Sequence, residues 1–173
     1  FATGEISIPN VGLSDPANTV PVGADIVAAY LYWQAVEWSG FSPETNGFFR
    51  NYRITGEQLE SDLPFTPVPA PALVGGGVST VMRMYRVNVL PYLPLGADGR
   101  RLPAGPHTVR LPEGGAAGLP FNSGVSLVVI YRVLSKDSPL KAVVLYDGAW
   151  VRTSGLQLTV RGFYDASLGQ VAR

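Results

Sequence analysis

His107 is the single histidine of the chain, so a Ser/His/Asp relay or a multi-histidine metal site would have to be built on it. It shares strand parity with Val109 and Leu111 beside a turn, which makes a structural or surface histidine the expectation. A glycoside hydrolase needs two carboxyl groups facing each other across a cleft. Glu37, beside Trp38, and Asp147 are the acids whose neighbours would suit that chemistry. Asp147-Gly148 is also a standard turn dipeptide, and Glu37 falls where a strand leaves its sheet, so no catalytic residue is assigned to either. Trp33, Trp38, Phe41 and Trp150 supply aromatic surface that could stack on sugar rings, with Gln34, Asn46 or Asp147 as polar neighbours. Trp33 lies inside an apolar run and is expected in the core. Trp38, Phe41, Glu37 and Asn46 remain as the candidate ligand-binding residues.

Other chemistries are poorly supplied. Calcium needs clustered oxygen ligands, whereas Asp15, Asp25, Asp62, Asp98 and Asp137 are dispersed without D-x-D-x-D spacing. Cysteine is absent, which removes thiolate metal sites and disulfides, and neither a metal nor a cofactor is expected. Lys136 and Lys141 are the only lysines and fall at one turn, which argues against an intramolecular isopeptide bond. The 13 basic and 13 acidic residues balance, and the basic ones form no run, so nucleic acid is not an expected partner. No apolar segment approaches the roughly 18 residues of a membrane-spanning helix, and no membrane span is expected. With 46% hydrophobic and 15% charged residues, the chain should bury a large interior and could spend part of its apolar excess on an interface. A chain that begins at Phe1 and runs straight into Glu5-Ile6-Ser7-Ile8-Pro9 suits a mature secreted form or a fragment of a longer polypeptide.

The elements that must position these residues read as strands. Gly124 to Arg132 and Lys141 to Gly148 are short runs rich in β-branched and aromatic residues, and the turn chemistry of Ser135 to Pro139 between them predicts a central antiparallel pair. Residues 25–36 predict a second central strand with both faces largely apolar, and Glu37 to Gly47 a loop. Further strands are expected near Ile6 and Ile8, over 48–54, over 78–90 with a bulge or a change of exposed face midway, over 107–111 and over 155–162. The prolines between Leu63 and Pro71 and the glycines that follow predict a long surface loop. Residues 91–106 and 112–124 predict two more, with a tight turn at Asp98-Gly99. No stretch shows convincing helical periodicity. The expectation is a single all-β domain over 1–173, a two-sheet antiparallel β-sandwich of jelly-roll type with long Pro/Gly-rich loops.

Four landmarks carry a resemblance: Tyr30-Leu31-Tyr32-Trp33, Asn51 to Gly56, Gly124 to Tyr131, and Val143-Val144-Leu145-Tyr146-Asp147-Gly148. The series resembles a domain of large bacterial and archaeal surface and secreted proteins, in which a "YLYW" strand precedes "GxSLVVVY" and "VxLYDG" strands. The likeness covers residues 25–150, and the segment 63–71 departs from it. It implies an extracellular or cell-surface setting beside adhesin-like or anchoring modules, with no established catalytic residues. The resulting expectation is a non-enzymatic module with a structural, adhesive or assembly role, such as a filament or surface-layer subunit. Its partners would be proteins or further copies of itself, joined through sheet edges and loops. The alternative is a carbohydrate-binding module or glycan-active enzyme using the loop aromatics, with a glycan as partner.

Overall fold

The computed structural model describes residues 1–9, 19–21, 23–64, 80–115, 118–133 and 143–148. Among the described residues nine strands follow in chain order: β1 (Ala2–Ile8), β2 (Asp25–Trp38), β3 (Asn46–Phe49), β4 (Tyr52–Thr55), β5 (Glu57–Gln58), β6 (Leu63–Pro64), β7 (Thr80–Asn88), β8 (Gly105–Leu111) and β9 (Phe121–Arg132). They build a two-sheet antiparallel β-sandwich. One sheet has the order β1-β8-β3-β4, and the other runs β5-β7-β2-β9, with β6 also paired to β7. The strand expected over 155–162, and residues 65–77 of the proline-rich loop, lie outside the described residues.

Alternation sets the inner faces. Ala29, Leu31, Trp33 and Ala35 of β2 and Tyr85 of β7 meet Phe49 of β3, Ile54 of β4 and Val109 and Leu111 of β8 in one buried cluster. Each fully buried side chain of Leu or Val size contributes about 1.5–3 kcal/mol. Residues 26 and 29 differ in parity, yet Ile26 joins the same cluster, because a register shift against β9 inserts Val27 between Ile26 and Ala28. This bulge turns both apolar side chains inward and leaves Val27 exposed.

Several sequence expectations are corrected here. β9 is not half of a central pair with 141–148: it pairs with β2, and 143–148 form no strand. β2 is the central strand, with β7 on its other side. Its two apolar faces allowed that role, and nothing in a local pattern says which of two buried-looking strands stands at the edge. Residues 48–54 are not one strand but the arms of a hairpin, reversed at Arg50, whose φ is 57°. Of the two readings of 78–90, a bulge is absent over the described residues 80–88, where β7 pairs with β2 in one register from Tyr30–Asn88 to Trp38–Thr80. Its mixed pattern comes from Arg83, a charged residue at an inward position.

Gly56 lies between β4 of one sheet and β5 of the other, where the chain changes layers. A Cβ there would fall within the Trp33 indole and 3.1 Å from Tyr85 Cβ. Only glycine lets the backbone pass so close to the stacked Trp33–Tyr85 pair, whose ring centroids are 5.2 Å apart.

Candidate functional site

Glu37 belongs to β2, which continues to Trp38, two residues beyond the predicted strand end. Its odd-numbered position faces inward and is 3% exposed. Oε2 accepts from Arg83 Nη1 at 2.5 Å and from the Glu44 backbone N–H at 3.2 Å, while Oε1 accepts from the Tyr85 hydroxyl at 2.6 Å. Arg83 is equally occupied. Its Nε and Nη2 form a fork on Asp62, 2.7 Å to each oxygen, and Nη2 also donates to the Phe41 carbonyl at 3.0 Å. The Arg83 hydrogen bonds hold the Asp62 carboxyl below its ordinary range. Burial, reinforced by the hydrogen bond to Glu37, pushes the Tyr85 phenol far above its usual value. A charge removed from water must be paired, and this cluster pairs both acids with one guanidinium.

The four candidate residues do not converge. Trp38 lies on the even-numbered side of β2, the face opposite Glu37. Phe41 is 68% exposed, although its carbonyl is fixed by Arg83. Asn46 opens β3 in the other sheet, where Oδ1 accepts from Thr55 Oγ1 at 3.2 Å and Arg53 Nη2 at 3.4 Å. Trp38 and Phe41 form no ring contact with each other among the described residues.

Glu37 and Asp147 stand on opposite faces of one sheet. Asp147 accepts from the Tyr32 hydroxyl at 2.8 Å and from Arg86 Nη1 at 2.7 Å, both on the outer face, and Arg86 Nη2 reaches Glu57 at 2.9 Å. Burial, followed by the bond to Asp147, pushes the Tyr32 phenol up to about 12. Two carboxyl groups separated by a sheet cannot flank one glycosidic bond. Trp33 is core at 1% exposure, and Trp150 lies outside the described residues, as do Asp15, Asp137, Lys136 and Lys141. No group of three or more His, Cys, Asp or Glu that could hold a metal occurs among the described residues. No helix among them is long and apolar enough to cross a membrane.

His107 is fully buried on β8, stacked on Phe49 with ring centroids 5.4 Å apart. Nε2 lies 2.7 Å from the Pro103 carbonyl, which can only accept, so that nitrogen carries the proton. Nδ1 is then the acceptor for Arg50 Nη1 at 3.3 Å. Burial, with the Arg50 charge adding to it, lowers the imidazole's proton affinity and keeps it neutral.

Arg50 leads to a feature that the sequence reading passed over. A cleft of about 290 Å³ is lined by Arg50, Asn51 and Tyr52 at the β3–β4 tip, by residues 91–95, and by Arg101. Tyr52 and Tyr92 stack there with centroids 5.1 Å apart. Arg101 Nη1 donates to the Leu93 carbonyl at 2.7 Å, and a bridge between Leu95 and Arg101 closes the loop. Neither Arg50 nor Arg101 forms an ion pair among the described residues. The available signal was Arg50-Asn51 between two short apolar runs, a two-residue turn with arginine where glycine or asparagine is usual. Comparisons with models of known protein families, with characterised proteins and with solved structures find no match.

Proposed function

We propose that the chain is a non-enzymatic extracellular or cell-surface module with a structural, adhesive or assembly role. The observation that carries this reading is β9. It is 12 residues long and, among the described residues, is paired on one side only, by β2. Phe121, Tyr131 and Val133 on or beside it are exposed, as are the apolar residues of 143–146. A long, apolar strand edge is a template for pairing with another chain, and soluble monomers ordinarily blunt such edges with charge or proline. The surface setting draws its support from the resemblance to secreted and surface proteins. Light scattering and electron microscopy of the native protein test the reading. Regular assemblies are expected, and Tyr131→Lys together with Val133→Lys should disperse them, because lysine on an edge opposes strand addition. A native protein that stays monomeric at high micromolar concentration would sink it.

A second reading, a carbohydrate-binding module, rests on Phe41. Its ring is displayed while its backbone is anchored by Arg83, an arrangement that suits a stacking platform for a sugar ring. A glycan array bound by the native protein and lost on Phe41→Ala or Trp38→Ala would favour it. Unchanged binding would remove that platform.

A further inference from the structure

We propose that the cleft between the β3–β4 tip and residues 91–95 binds a carboxylate-bearing sugar, a uronate unit of an acidic glycan. Charge is the first argument. Arg83, Arg86, Arg100 and Arg132 each have a carboxylate partner. Arg53 is held by Asn46, and Arg110 lies over the rings of Phe1 and Phe48. Arg50 and Arg101, like Arg53, have only uncharged acceptors among the described residues, but unlike Arg53 both line the same cleft. A guanidinium with unused donors in a concave site matches a carboxylate in shape and charge.

Backbone strain is the second argument. Arg50 holds φ 57°, a conformation that disfavours any residue with a Cβ, and its backbone N–H is pinned to the Thr108 carbonyl at 2.6 Å. Glycine would suit the turn better, yet the side chain at this strained position carries one of the two charges. The third argument is shape. The cleft falls just below the usual range for ligand pockets, about 300–1,000 Å³, a size for one sugar unit. Its walls offer Tyr52, Tyr92, Pro91 and Pro94, flat apolar surfaces on which a sugar ring can lie, and Asn51 at the rim can bond hydroxyl groups.

The inference does not rest on the assembly reading: copies can fail to associate and the cleft still take its ligand. The test is titration of the full chain with trigalacturonate, followed by calorimetry and by protein NMR shifts, with maltotriose as the neutral reference. Trigalacturonate should bind, with shifts at residues 50–52 and 91–95, and maltotriose should bind at least tenfold more weakly. Arg50→Gly and Arg101→Gln should each weaken the uronate about tenfold or more, the usual scale of a charged hydrogen bond, and Arg53→Gln should leave it unchanged. Should Arg50→Gly not fold, Arg101→Gln carries the same arm. Equal affinity for the neutral sugar, indifference to both cleft substitutions, an equal loss with Arg53→Gln, or tighter binding of pentaglutamate at the same residues would each overturn the proposal.

Discussion

Two buried polar clusters lie between the sheets and solve the problem of buried polarity in opposite ways. In the Glu37–Arg83–Tyr85 cluster, full charges are kept and matched, with both Glu37 oxygens and the Arg83 fork occupied. In the His107–Arg50 cluster the histidine is kept neutral: one ring nitrogen donates to Pro103, the other accepts from an arginine, and no carboxylate joins them among the described residues. A matched cluster is satisfied within itself and gives rigidity. An unmatched one is sensitive to protons on the inside and to anions on the outside. The comparison therefore predicts that the first cluster governs stability and the second governs responsiveness.

The largest effect should come from breaking the match. Arg83→Met leaves Glu37 buried and unpaired, and should cost about 3–5 kcal/mol in chemical denaturation. The double variant Arg83→Met with Glu37→Leu should recover part of that loss, because the unpaired charge is gone although the buried Tyr85 hydroxyl loses its acceptor. If the single and double variants are equally damaged, the cost lies in packing and not in the unpaired charge. Tyr85→Phe is the milder cut: Glu37 Oε1 loses its hydroxyl donor, with an expected cost of about 1–3 kcal/mol.

Much of the frame was legible in the sequence, and the exceptions share a cause. Residues 107–111 read correctly as a strand and Trp33 as core, because burial of one face imposes period two. What alternation cannot express is partnership. Arg83 at an inward position looked like a flaw in a strand, and Glu37 looked like a strand exit, because each is explained only by the other, 46 residues away. Asp147 likewise read as a turn residue, although its side chain ties 143–148 to Tyr32 and Arg86 on the outer face of the larger sheet. The cleft was missed for the same reason. Arg50 and Arg101 are unremarkable one at a time, and the fold alone brings them to one wall.

The neutral histidine gives a smaller effect with a definite sign. Its folded proton affinity lies below that of the unfolded chain, whose imidazole titrates near about 6.5. Above that pH both states are neutral and the full stability is present. As pH falls below it, the unfolded chain takes up the proton first, so stability declines with acidification. Melting temperature should fall between pH 7.5 and 5.5, a window in which ordinary carboxylates stay ionised, and His107→Gln should flatten that slope. A native slope of zero, or one that survives the substitution, would show that the ring is not held neutral.

The smallest effect should come from Arg50→Gly, and its smallness is informative. The substitution removes the Arg50–His107 hydrogen bond, worth roughly 0.5–1.5 kcal/mol. It also releases a residue with a Cβ from left-handed backbone, a relief of roughly 1–2 kcal/mol. Glycine adds unfolded-state entropy of roughly 0.5–1 kcal/mol, so the net change should lie within about 1.5 kcal/mol of zero. The same change at Arg83 would be severe, since that guanidinium answers two acids. A loss at Arg50 as large as that at Arg83 would mean that its side chain is structural after all, and the contrast between the clusters would collapse. Near-neutral stability would instead leave the strained arginine without a structural reason for being there, which is the condition under which a binding role for its charge explains the residue.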